Sequence, residues 1–182
     1  MTRVRSLLLI IVVLIPWHTH ADDAKAPTSK PLITRERVQL NLAGAELVLS
    51  AARQKATDMG LKMNLAVVDD GGHLLAFARM DGARPASAYT AMTKAVTAAT
   101  FRQETGPLPP KGEPDLLLNL SLQNAALAGG GKVTTLKGGI PIIVDGQIIG
   151  GIGIGGGSGE QDAEVAKAGV QALLDQLAEQ KS

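Results

Sequence analysis

The sequence of 182 residues contains no cysteine, which excludes a disulfide framework, a thiolate metal site and a cysteine nucleophile. Aromatic residues make up 2% of the chain, too few for the stacking surfaces that hold single-stranded nucleic acid. Neither sign of charge is in excess, because 18 Lys and Arg stand against 17 Asp and Glu. A chain so close to neutral has no basic surface for DNA or RNA.

What remains is an aliphatic protein. Hydrophobic residues account for 45% of the chain, and almost all of them are Ala, Val, Leu, Ile or Met. The length suits one domain that can bury a core without disulfides. We therefore expect a single globular domain with an aliphatic core.

The first 21 residues have the pattern of a secretory signal peptide. Arg3 and Arg5 precede a short apolar run, and the segment ends at the small residue Ala21. The apolar run is about half the ~20 residues that a spanning helix needs. We expect cleavage after Ala21, a periplasmic or secreted protein, and no membrane contact after cleavage. The expected organisation is a signal peptide over residues 1–21, a flexible tether over residues 22–34 and one domain over residues 35–180.

Cleavage at Ala21 would have a chemical consequence. Two of the three histidines lie in the leader, so His73 would be the one imidazole of the mature chain. A three-histidine metal site, or a pair of axial histidines from one chain, is then excluded.

Hydrophobic periodicity predicts an α+β domain. Helices are expected at about residues 35–59 (capped by Thr34), 87–101, 115–128 and 159–180, and strands at about 63–68, 73–80, 133–135, 140–144 and 147–154. Tight turns at residues 69–72 and 145–146 force antiparallel pairing. The prediction is one antiparallel five-stranded sheet flanked by helices.

Three segments resemble the GlcG/HbpS family, also described as haem-degrading-type domains. They read LAVVDDGGHLLAFARMDGA over residues 65–83, KAVTAATF over residues 94–101, and GGIPIIVDGQIIGGIGIGGG over residues 138–157, which runs into Glu160-Gln-Asp162. The resemblance covers about residues 35–177. It implies a profilin-like fold, assembly into homo-oligomers and, for some members, haem as a bound cofactor.

Two residues are candidate ligands for haem iron. His73 offers an imidazole, the usual proximal donor, and Met80 offers a thioether. The alternatives are a half-exposed histidine that follows a turn and a methionine that belongs to the core or a loop. Of these two residues, only His73 is assigned as a metal ligand.

The loop after the first hairpin is a candidate site for carboxylates. Arg79, Asp81, Gly82 and Arg84 precede a helix start, where cations and helix amides can hold a propionate or a small organic acid. Lys94 follows two turns into that helix and could close the site with a charge. The alternatives are surface ion pairs of little energetic value and a solvated lysine.

A glycine-rich turn follows the last predicted strand. The spacing Gly151, Gly153, Gly156 matches G-x-G-x-x-G, but the strand–helix–strand context of a dinucleotide site is missing. Gly155 and Gly156 instead let the backbone pass close to something at the start of the last helix, either a ligand carboxylate or a neighbouring subunit.

Three functions remain open from the sequence. The first is an exported, oligomeric protein that binds haem or a related tetrapyrrole, for sequestration or degradation. The second is a protein that binds a small organic acid, or an enzyme acting on one. The third is a structural homo-oligomer without catalysis. No serine has a credible base, so a hydrolytic triad is not supported.

Overall fold

A computed structural model describes residues 37–180 of the chain. The predicted signal peptide, the tether and the Thr34 cap lie outside the described residues. Within residues 37–180 the fold is α+β, with four helices and one four-stranded antiparallel sheet. In chain order the elements are α1 (Leu42–Asp58), β1 (Asn64–Asp69), β2 (Leu74–Arg79), α2 (Ser87–Phe101), α3 (Leu116–Ala128), β3 (Gly139–Val144), β4 (Gln147–Gly155) and α4 (Gly159–Glu179).

Helix α1 begins later than the sequence pattern predicts. Asn41 is the N-cap, and its side chain accepts a hydrogen bond from the Gly44 amide at 2.9 Å. Asparagine is among the strongest N-cap residues, so it sets the start at Leu42, and the predicted start near residue 35 is wrong. The other end is as predicted, because Gly60 follows the helix with a φ of +69°.

The sheet has the strand order β2-β1-β4-β3, and every pair is antiparallel. The fifth strand that we predicted at residues 133–135 does not form. Side chains hold this segment instead: the Thr134 amide donates to Thr97 Oγ1 at 3.0 Å, and the Leu136 carbonyl accepts from Thr105 Oγ1 at 2.7 Å. Backbone groups satisfied in this way have no need of a strand partner.

Strand β1 is buried on both faces and separates two packing layers. Leu65 and Val67 face the larger cluster with α1 and α4, whereas Ala66 and Val68 face α2. The α2 layer is thin because it is built from alanines 91, 95 and 99. No helix among residues 37–180 is both long and apolar enough to cross a lipid bilayer.

Glycines of β4 allow α2 to lie directly on the sheet backbone. A Cβ at Gly153 would come within 2.1 Å of the Ala91 carbonyl oxygen, and one at Gly151 within 2.7 Å of the Ala95 carbonyl oxygen. The glycine spacing of this strand therefore serves helix–sheet packing. The following helix, α4, begins as predicted with a capping box between Ser158 and Gln161.

Helix α3 forms where predicted but packs little of its surface. Asp115 caps it by accepting a hydrogen bond from the Leu118 amide at 3.0 Å. Of its thirteen residues only Ala126 is buried, whereas Leu116, Leu117 and Leu127 are more than two-thirds exposed. An apolar helix this exposed is an unusual feature for a lone domain.

The close approach of α2 to β4 yields a stability prediction. We expect Gly153→Ala to lower the free energy of unfolding by about 1–3 kcal/mol, because the new methyl group collides with the α2 backbone. Gly129→Ala is the matched control: its φ is −86° and its nearest contacts would be an ordinary 3.6 and 3.7 Å. Urea unfolding measures both variants, and equal midpoints would contradict the packing described here.

Candidate functional site

The structure divides the predicted site residues between the two ends of β2. His73 immediately precedes the strand, whereas Arg79 ends it and Met80 and Asp81 follow it. A six-residue strand separates its ends by roughly 20 Å. These residues therefore belong to two separate concavities, one at each end of β2.

The hairpin end is organised by Asp69. Its Oδ1 accepts hydrogen bonds from the amides of Gly71 at 2.9 Å and of His73 at 2.8 Å. The imidazole Nδ1 of His73 lies 3.2 Å from both carboxylate oxygens. Burial acts to raise the pKa of Asp69, but the hydrogen bonds and the nearby imidazole outweigh it, so this pKa lies below its ordinary value of 3.8.

An ionised Asp69 determines which nitrogen of His73 is available. A carboxylate can only accept hydrogen bonds, so Nδ1 is the donor, and in the neutral imidazole Nε2 then carries the lone pair. No residue in the range 37–180 bonds to Nε2, and the His73 side chain is 83% exposed. An imidazole oriented by a carboxylate on one side and free on the other is the usual arrangement of a metal-ligating histidine.

A groove, here called the apolar groove, lies beside this hairpin. It has a volume of about 320 Å³ and runs between β2, α2 and the loop after α3. Its lining includes Gly72 and Leu74, the two residues that flank His73. The other lining residues include Val68, Tyr89, Met92, Val96 and Lys132. The groove offers apolar walls, one thioether and one ammonium group.

A second concavity, here called the cationic cleft, lies at the opposite end of β2. Its volume is about 630 Å³, and the last turns of α1 form one wall. Arg53, Lys62 and Arg79 supply three positive charges, and Asp81 supplies one negative charge. The cleft thus collects Arg79, Met80 and Asp81 from the predicted loop, together with two cations from elsewhere.

Met80 lies in this cleft, but its sulfur has a partner. The Met63 amide donates to Met80 Sδ at 3.4 Å. The thioether therefore helps to tie the end of β2 to the start of β1. His73 is at the other end of the strand, so the two candidate iron ligands of one chain do not share a site.

Gly82 and Arg84 shape the loop that leads into α2. Gly82 has a φ of +78°, and a Cβ there would come within 3.1 Å of Lys62 Nζ. Arg84 Nε donates to Ser87 Oγ at 2.9 Å, while its carbonyl accepts from Asn64 Nδ2 at 3.0 Å. Arg84 therefore fastens the loop to α2 and β1, and it is not part of the cleft lining.

The prediction that Lys94 closes the loop site is wrong. Its side chain is 4% exposed and points into the interior, where Nζ lies 2.6 Å from Asp162 Oδ2 and 2.8 Å from the Ile154 carbonyl oxygen. The other carboxylate oxygen of Asp162 accepts a hydrogen bond from the Gly157 amide at 2.9 Å. Lys94 and Asp162 form a buried ion pair that joins α2, β4 and α4.

Gly155 and Gly156 pack against this chain and not against a ligand. A Cβ at Gly155 would come within 2.5 Å of the Ser87 carbonyl oxygen, and one at Gly156 within 2.9 Å of the Lys62 carbonyl oxygen. Gly156 also has a φ of +142°, which side chains rarely adopt. These contacts lie within one chain, so the two glycines are explained without the ligand carboxylate or the neighbouring subunit that the sequence suggested.

Sequence reasoning missed the partners of the site residues. Asp69 was assigned to the turn, although its spacing of four residues from His73 across two glycines is a usable signal. Arg53 was not predicted, because nothing in the pattern of its helix indicates that it lines the same cavity as Arg79. Among the described residues no group of three His, Asp or Glu side chains could hold a metal ion. A metal bound by His73 would therefore have most of its ligands from a group bound together with it.

The buried ion pair yields a second stability prediction. We expect Lys94→Met to cost about 3–5 kcal/mol of unfolding free energy, because it leaves the Asp162 carboxylate buried without a counter-charge. In Lys94→Met/Asp162→Asn the amide oxygen still accepts from Gly157 and no charge is buried, so the loss should be smaller. Chemical denaturation measures both. A double variant no more stable than the single one would contradict the pairing.

Comparisons with known proteins agree with this architecture. A family model described as haem degrading protein HbpS-like matches residues 40–171. Protein GlcG of Escherichia coli (strain K12) is 40% identical over 120 residues, which cover 66% of this chain and 84% of GlcG.

Solved structures show the same likeness. The crystal structure of a double mutant of HbpS from Streptomyces reticuli has a TM-score of 0.63 and 31% identity, covering 81% of this chain and 99% of the other. The crystal structure of a PduOC–haem complex has a TM-score of 0.61 and 28% identity, covering 74% and 95%. By sequence and by fold, the chain belongs to the GlcG/HbpS family.

Proposed function

We propose that the protein binds haem or a related tetrapyrrole at the hairpin end of β2, with His73 Nε2 as an axial ligand. The observation that carries the proposal is the contact between His73 Nδ1 and the Asp69 carboxylate at 3.2 Å. That contact fixes the tautomer and leaves the ligating nitrogen free. It also raises the basicity of the imidazole toward a metal.

The apolar groove beside the hairpin would take one edge of such a ligand. Leu74, Tyr89 and Met92 provide apolar contacts for the face or edge of a macrocycle. Lys132, which also lines the groove, provides a positive charge for a propionate. Iron in a porphyrin already has four nitrogen ligands, so one imidazole is enough to hold it, and no cluster of protein ligands is needed.

Relatives give independent support. The family model carries the description haem degrading, and PduOC, at 28% identity, was crystallised with haem. Haem would supply the redox chemistry of its iron when bound. His73 and the residues of the apolar groove would bind and orient the ring.

Haem titration tests this assignment. We expect His73→Ala to weaken hemin binding at least tenfold and to shift the Soret band, because the axial nitrogen is lost. Asp69→Asn should weaken it by about 10- to 100-fold through loss of the orienting carboxylate. Met80→Leu is the control, and its titration should match that of the parent protein. Saturable binding with an unchanged Soret band in His73→Ala would overturn the assignment.

We also propose that the protein is exported and that it works as a homo-oligomer. The signal-peptide pattern of residues 1–21 supports export. The exposed leucines of α3 support association, since a second copy would bury them. A second copy could also cover the open side of the apolar groove and offer another ligand to the iron.

One preparation tests export and assembly together. Protein recovered from the periplasmic fraction should begin at Asp22 by N-terminal sequencing. Light scattering on the same sample should give a mass at least twice that of one chain. Protein found only in the cytoplasmic fraction would overturn export, and an N-terminus at Met1 would overturn cleavage after Ala21. A strict monomer at micromolar concentration would overturn the homo-oligomer.

A further inference from the structure

We infer that the cationic cleft is a second ligand site, separate from the haem site, and that it binds a small dicarboxylate. The cleft lies at the end of β2 remote from His73, between the last turns of α1 and the loop that follows β2. The inference does not depend on haem binding.

The first observation is that three cations share this cavity without ion-pair partners among residues 37–180. Arg53, Lys62 and Arg79 line the cleft, and none of them forms a salt bridge with a residue in the range 37–180. Unpaired cations also occur elsewhere in residues 37–180, among them Arg102, Lys111 and Lys132. The distinguishing feature of the cleft is that three of them line one cavity.

The second observation is that the cations are brought together by three different segments. Arg53 comes from α1, Lys62 from the link between α1 and β1, and Arg79 from the end of β2. Gly82 leaves room for the Lys62 side chain because it has no side chain of its own. A Cβ at position 82 would lie 3.0 Å from Lys62 Cδ. Charges of like sign repel, so gathering them has a cost that a bound anion offsets.

The number and sign of the charges indicate the ligand class. Asp81 opposes the three cations, which leaves two positive charges to be balanced by the ligand. Two guanidinium groups can each hold a carboxylate through paired hydrogen bonds. A dicarboxylate of a few carbons satisfies both requirements, and a cavity of about 630 Å³ admits it with its hydration water.

The same features argue against larger polyanions. A highly charged polymer or an anionic membrane would bring more negative charge than the two net positive charges of the cleft can balance, and the excess would be repelled by Asp81. An ordinary monocarboxylate would leave one cation unbalanced. The cleft is therefore matched to a ligand of two negative charges.

Calorimetric titration at constant ionic strength tests this inference. Succinate is the probe, with acetate and inorganic phosphate as comparisons. We expect saturable succinate binding at least fivefold tighter than either comparison. Arg53→Gln and Arg79→Gln should each weaken it at least fivefold. Arg102→Gln is the matched control, because it removes the same charge outside the cleft, and it should change the affinity less than twofold.

The outcomes separate this site from the haem site. His73→Ala should bind succinate like the parent protein, even though it loses haem. Absence of saturable succinate binding, equal affinity for phosphate or acetate, or an equal loss in Arg102→Gln would each overturn the inference. None of these results would bear on haem binding at His73.

Discussion

The ion pair between Lys94 and Asp162 joins α2, β4 and α4, and α2 forms one wall of the apolar groove. Each charge lies out of water, with side chains 4% and 3% exposed, and each has a further hydrogen bond, to the Ile154 carbonyl oxygen and from the Gly157 amide. A buried pair stabilises a fold only when its remaining polar atoms are satisfied in this way. The pair fixes α2 against β4 and sets the start of α4, and it thereby places the α2 wall of the apolar groove.

This interior leaves little room for ligands, and that explains where the sites lie. The α2 layer consists of alanines against glycines, with backbone atoms in near contact, so no slot opens between sheet and helix at its centre. The two candidate sites lie instead at the two ends of the edge strand β2. One end has an imidazole held by a carboxylate, and the other has three cations. The imidazole suits a metal, and the three cations suit an anionic ligand.

Local chemistry made much of the fold predictable. Patterns of neighbouring residues predicted the Asp-Gly and Gly-Gly turns and the capping box of α4. They also predicted helix α2 with its bounds at Ser87 and Phe101. Tertiary contacts decided the rest. The segment at residues 133–136 forms no strand, and Thr97 and Thr105 bond to its backbone instead. Nothing in the sequence around Lys94 indicates that it forms a buried ion pair with Asp162, 68 residues away.

The candidate site was predictable to the same extent. His73, Arg79 and Asp81 were identifiable from the sequence, but their separation by the length of β2 and the arrival of Arg53 from α1 required the fold. The central claim is that His73 ligates iron. Electron–nuclear double resonance on hemin-loaded protein labelled with ¹⁵N-histidine tests it directly. The account predicts a ¹⁵N coupling from an axial imidazole that disappears in His73→Ala; a haem-loaded protein with no histidine coupling would contradict it.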